Sequence, residues 1–135
     1  MNSQDIAITA KVESITPIMD NNKTTLYNLE ILKSNGENWT KVISFEEIKK
    51  LRNYLIKFVP RVSNLPFPQK DWRAFLPFVG HKYDDHNWDV LLENKFILDE
   101  FFRSICQDKE LYKLSEFNEF FNQPRLTLSI LNGNF

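Results

Sequence analysis

Ile43-Ser44-Phe45-Glu46-Glu47-Ile48-Lys49-Lys50-Leu51-Arg52-Asn53-Tyr54-Leu55 is where the chain changes its period. Before Ser44 the apolar residues alternate, as on one face of a strand. After it, Ile48, Leu51, Leu55 and Phe58 recur at helical spacing. Ser44-Phe45-Glu46-Glu47 has the form of a capping box. The serine hydroxyl is placed to accept from the amide three residues on, and the Glu47 carboxylate to reach back. The strand therefore ends and the helix begins at one residue, and Pro60 closes the helix.

Working back toward the start, Trp39 to Ile43 reads as the strand that feeds this junction. Ser34-Asn35-Gly36 is a hairpin turn signal, since Asn and Gly tolerate positive φ. Thr25, Tyr27, Leu29 and Ile31 alternate, as do Ile6, Ile8, Ala10 and Val12 within Ile6 to Ser14. The polar run Asp20-Asn21-Asn22-Lys23 connects those two strands. The pattern predicts a three-stranded antiparallel meander.

Beyond the helix, 60–87 holds Pro60, Pro66, Pro68 and Pro77 and has no clean periodicity. A connection this long in a compact domain is usually functional or disordered, and its Trp and Phe content disfavours disorder. Trp88 to Cys106 returns to helical spacing, with Leu91, Lys95, Leu98, Phe102 and Ile105 in one stripe. Asp108 to Leu114 reads as a short helix. Ser115 is expected to cap a further turn or two containing Phe117, Phe120 and Phe121, ended by Pro124. Strands first and helices after make the fold class α+β, a sheet packed on a helical subdomain.

The 135 residues suit a single domain, 1–135, with a core of about 6–128. A chain this compact is expected to belong to a larger scaffold protein. Net charge is -1, so no global positive field draws nucleic acid, and any anion site must be local. The one cysteine, Cys106, precludes an internal disulfide and suits a reducing, cytoplasmic setting. No run of about 18 apolar residues exists.

Catalytic chemistry finds little support. His81 and His86 lie in the long connection with Asp84 and Asp85. They lack cysteine partners and the i, i+4 histidine pair of helical zinc sites, so a solvated acidic loop is expected rather than a metal site. The chain has 3 Gly and no Gly-rich phosphate loop. No cofactor and no enzymatic activity are expected.

The order of elements, with four local motifs, resembles the phox-homology (PX) domain over about Ile6 to Leu128. That family's third strand enters its first helix through Arg-Arg-Tyr-Ser-Asp-Phe, with hydrophobic residues three and seven positions past the Phe. Ile43-Ser44-Phe45-Glu46-Glu47-Ile48 stands there, followed by Leu51 and Leu55. Leu65-Pro66-Phe67-Pro68-Gln69-Lys70 looks like the family's proline-rich loop ending in Lys. Asn94 to Phe102 looks like its Arg-x-x-x-Leu-x-x-Tyr/Phe helix. Phe117 to Leu128 resembles the close of PX domains in scaffold adaptors.

The resemblance implies a phosphoinositide-binding, membrane-targeting module. In the family the second motif arginine grips the 3-phosphate and the next aromatic packs on the inositol ring. The loop lysine contacts the 1-phosphate, and the helix arginine bonds inositol hydroxyls. Carried over, these positions are Ser44, Phe45, Lys70 and Asn94. Two arginines are therefore replaced by residues that lack a charged, bidentate fork. Lys95 adjoins Asn94 but projects about 100° further around the helix. Lys41, three residues before Ser44, is expected on the other side of the strand. A register that puts Lys41 at the Arg position spoils the spacing of Leu51 and Leu55.

Trp72-Arg73-Ala74-Phe75-Leu76-Pro77-Phe78 follows Lys70. In many PX domains the equivalent loop inserts into the bilayer interface. Trp72, Phe75, Leu76 and Phe78 would supply buried apolar area, and Arg73, Lys82 and Arg61 attraction to anionic lipid. Packing of the same rings onto the core is the competing reading.

Two functions follow. One is a phosphoinositide or acidic-lipid module with a degenerate 3-phosphate pocket, peripheral at endosomal or other anionic membranes. The alternative is a PX-fold protein-interaction domain of a scaffold that has lost lipid binding.

Overall fold

The computed structural model describes residues 6–17, 25–68 and 88–122. Strands β1 (Ile8–Pro17), β2 (Thr25–Lys33) and β3 (Asn38–Ser44) form one antiparallel sheet in the order β1-β2-β3. Helix α1 (Phe45–Phe58) starts directly from β3, and a 3-10 turn, Pro60–Asn64, follows. Helix α2 (Trp88–Gln107), a second 3-10 turn (Lys109–Lys113) and helix α3 (Ser115–Phe121) complete the helical layer.

The meander forms as its alternation predicts. Lys33 pairs across the hairpin, where Gly36 takes φ 97°, a region that Gly enters without a Cβ clash. Asn35 Oδ1 accepts from the Glu37 amide at 3.0 Å and fixes the turn. One face of the sheet carries Ile8, Ala10, Val12, Tyr27, Leu29, Ile31 and Ile43, all buried.

β1 runs further than the alternation indicates, because its register shifts between Val12 and Ser14. The extra residue flips the phase, so Ile15, opposite Tyr27, rejoins the inner face and packs on the core. Ile6 lies just outside the strand.

Helices seal the sheet's exposed edge with side chains. Along the outer side of β1, the Val12 amide donates to Asp99 Oδ1 of α2 at 2.7 Å, and the Ile8 amide donates to the Tyr112 hydroxyl at 3.0 Å. Tyr112 in turn donates to the Cys106 carbonyl at 2.7 Å. These contacts satisfy edge donors that would otherwise invite another strand. Asp99 also holds Lys95 at 3.1 Å.

The core lies between sheet and helices. Ile48, Leu51 and Leu55 of α1 meet Leu98, Phe101, Phe102 and Ile105 of α2, with Leu111, Phe117 and Phe121 below. Three details differ from the periodic reading. Phe58, the last residue of α1, lies outside the core, exposed and tilted against Tyr54 at 5.0 Å. Ser115 is the first residue of α3 rather than its cap. The neighbouring Asn118 amide instead donates to the carbonyls of Tyr112 and Leu114. Lys95, in the expected apolar stripe, points to Asp99, and Phe101 takes a core place the stripe omitted.

Asp99→Ala leaves the part-buried Val12 amide and Lys95 without their acceptor. It is expected to lower the unfolding free energy by about 1–3 kcal/mol, and Asp99→Asn, which keeps an acceptor, by less. Urea unfolding measures this, and an unchanged midpoint for the alanine variant would remove the edge-sealing role.

Candidate functional site

The β3–α1 junction is built by the capping box. Ser44 Oγ accepts from the Glu47 amide at 3.2 Å. The Glu47 carboxylate accepts from the Ser44 amide at 3.2 Å and from the Ser44 hydroxyl at 3.3 Å. Ser44 is thus committed to starting the helix. Glu46 and Glu47 place negative charge in its first turn, which suits the helix dipole but opposes a bound phosphate.

Phe45 follows on the core side of that junction. Its ring stacks on Phe67 with centroids 5.6 Å apart and planes at 26°. Phe67 is buried and sits edge-on to Phe101 of α2 at 5.0 Å. This packing fixes the stretch Leu65–Pro66–Phe67–Pro68 against the core, and Lys70 lies two residues further along the sequence. Two cations of α1 lie over the pair. Lys49 Nζ is 5.8 Å from the Phe45 centroid, and the Arg52 guanidinium carbon is 4.8 Å from the Phe67 centroid. Positions 45, 49 and 52 share one helical face.

Arg61 and Lys41 are committed elsewhere. Arg61 grips Asp108 with a two-pronged contact, Nη2 to Oδ1 at 2.7 Å and Nε to Oδ2 at 3.1 Å, and meets Glu110 at 3.3 Å. Those hydrogen bonds push its pKa further up. Lys41 shares the inner face of β3, opposite Leu29, whereas Ser44 pairs with Leu26 on the other face. Lys41 Nζ donates to the Phe120 carbonyl at the end of α3 at 2.8 Å and lies 4.3 Å from the Phe120 ring. Burial lowers its pKa, with Glu47 pulling the other way.

Asn94 is partly buried on α2, one residue before Lys95, whose ammonium is paired with Asp99. Of the expected site, Ser44 and Phe45 are adjacent, while Asn94 and Lys95 stand on a different helix. Lys70, Trp72, Arg73, Phe75, Leu76 and Phe78 lie outside the described residues, as do His81, Asp84, Asp85 and His86.

Sequence reading missed two features. Arg52 was hidden among the charged residues of α1, where only its phase relative to Phe45 could have marked it. The other is a stripe on the outer side of α2. Trp88, Leu92 and Phe96 are 57%, 47% and 68% exposed and lie at i, i+4 and i+8. Asp89, Glu93 and Glu100 are on the same helix next to that stripe.

Cys106 is buried in α2 and unpaired. Burial pushes its thiol up to about 12, so it carries no thiolate near neutrality. Among the described residues no group of three or more His, Cys, Asp or Glu side chains could hold a metal ion. No helix there is long and apolar enough to cross a membrane.

Residues 31–124 match the family model of the PX domain. No curated protein matches the chain.

The buried thiol predicts both reactivity and alkaline stability. Native Cys106 should react with an aromatic disulfide reagent far more slowly than in the urea-unfolded chain. Above the ordinary thiol value of 9.0 the unfolded chain loses this proton while the folded protein keeps it up to about 12. The thiol's contribution to stability is therefore full below 9.0 and is lost as pH rises toward 12. Cys106→Ala should flatten the fall in stability over that window, measured by urea unfolding across the alkaline range. An unchanged slope would show that the thiol is not buried as described.

Proposed function

The chain belongs to the PX domain family, whose members typically bind phosphoinositides and target membranes, and we propose that it is an acidic-lipid-binding module with a degenerate 3-phosphate position. The supporting observation is the aromatic corner at the strand–helix junction. Phe45 keeps the family's ring-packing position, with Lys49 over its ring. It stacks on Phe67 at the start of the proline loop that leads to Lys70.

The corner offers an apolar platform with cations at its rim, which suits an inositol ring and its phosphates. Ser44 supplies no charge, and Asn94 only a neutral amide. Losing one arginine–phosphate contact costs about 1.5–3 kcal/mol, or roughly one to two decades of affinity. Selectivity for the 3-phosphate is therefore weak, and attraction to anionic phosphate dominates. In this reading Lys70 meets a phosphate, Asn94 and Lys95 flank the site, and Trp72, Arg73, Phe75, Leu76 and Phe78 enter the interface. The protein then acts as a peripheral component of anionic membranes.

The exposed stripe Trp88–Leu92–Phe96 favours a second reading, a PX-fold protein-interaction domain of a scaffold. Aromatic residues dominate binding hot spots. The acidic neighbours Asp89, Glu93 and Glu100 suit a protein partner better than an anionic bilayer.

Vesicle sedimentation separates the two. The wild type should pellet with phosphatidylcholine vesicles doped with phosphoinositides. Lys70→Ala should weaken that binding by about tenfold. Absence of binding to every anionic vesicle, or indifference to Lys70→Ala, would transfer the chain to the second reading.

A further inference from the structure

We propose that Arg52 of α1 is the guanidinium that binds a phosphate monoester in this domain, in place of the arginine that Ser44 replaces. This inference rests on the lipid-binding reading above and names the residue that makes it chemically workable.

Three observations carry it. The first concerns an unmet donor: Arg52 Nε is buried and has no hydrogen-bond partner among the described residues. A buried donor on a permanently charged group is costly unless an acceptor reaches it, and a phosphate oxygen is the strongest acceptor available to a guanidinium. The second is position. The guanidinium carbon lies 4.8 Å from the Phe67 ring centroid, and Phe67 stacks on Phe45 at 5.6 Å. The cation is thus placed over the aromatic corner, two turns along α1 from the junction. The third is availability. Arg61 is held by Asp108 and Glu110, Arg103 by Glu100, Lys41 by a carbonyl and Lys95 by Asp99. Among the described residues no carboxylate is paired with Arg52. Lys49, one turn earlier on the same face, has only a loose, exposed contact with Glu46 at 3.8 Å.

These features also explain why the junction can carry Glu46 and Glu47. Their charge sits at the start of α1, while the proposed phosphate site lies further along the helix at Lys49 and Arg52. Seated over Phe67, the guanidinium can present paired N–H donors to a phosphate that reaches it, a geometry that lysine cannot reproduce. Binding to a lipid headgroup and binding to free phosphate share this chemistry, and separate titrations distinguish them.

The test combines nuclear magnetic resonance of the Arg52 Nε–H group with vesicle sedimentation of Arg52→Gln and Arg52→Lys. Thermal unfolding checks that both variants fold. Titration with a short-chain phosphatidylinositol monophosphate should move the Nε–H signal strongly and slow its exchange with water. Inorganic phosphate should move it only at far higher concentration. Arg52→Gln should weaken binding to phosphoinositide-doped vesicles by about ten- to a hundredfold, with partial recovery in Arg52→Lys. A Nε–H signal that stays fixed while other resonances shift overturns the inference. So does Arg52→Gln binding like wild type while Lys70→Ala does not, an outcome that leaves the lipid-binding reading intact. Wild-type protein that ignores every anionic vesicle overturns both. If Arg52→Gln fails to fold, the Nε–H titration of the wild type decides alone.

Discussion

The edge-on contact of Phe67 with Phe101 is the constraint on which the candidate site depends. Phe67 is the point where the proline loop is pinned to the helical core, at 5.0 Å from Phe101. From there a chain of ring contacts runs through Phe102, Phe121 and Phe117 to Tyr112, whose hydroxyl bonds the edge of β1. In the other direction it runs to Phe45 at the start of α1. Sheet, helices and loop are thus tied by one aromatic series. Such pairs add about 0.5–1.5 kcal/mol each beyond the area they bury. Truncating Phe67 would free the loop and also remove the surface on which Arg52 rests.

Charge is distributed with the same economy. Several cations of the helical layer, Arg61, Lys95 and Arg103, are matched by a specific carboxylate, in a chain whose net charge is -1. A chain of that charge relies on local cationic groups for any contact with an anion. Where such a group is desolvated, as at the buried Arg52 Nε, each contact gains value relative to bulk water. Desolvation also makes such contacts less sensitive to salt than those of a diffuse basic patch.

The fold was legible because its signals are local. Alternation in Thr25–Ile31, the Asn35-Gly36 turn and the Ser44/Glu47 cap each require only neighbouring residues. The β1 bulge was not legible, since nothing in the local alternation marks it, and neither was the contact of Asp99, 87 residues away, with the Val12 amide. Lys95 looked like a stripe residue because its apolar stem matches the period, but its ammonium is drawn to Asp99. The candidate site was half legible. Phe45 and Lys70 stood out through the motif, whereas Arg52 gains its meaning only once Phe67 returns from a distant loop to meet it. An isolated arginine in a run of Lys49, Lys50 and Arg52 carries no mark of that contact.

The capping box has a consequence for how such a domain can change over time. Residue 44 serves helix initiation here, and its partner Glu47 is acidic. An arginine arriving at 44 would remove the cap and land beside a carboxylate that neutralises it. Gain of a phosphate grip at that position thus needs a change at 47 as well, and neither step is favourable alone. Under the proposed lipid-binding reading the junction is epistatically locked, and change in lipid preference is steered to side chains along α1.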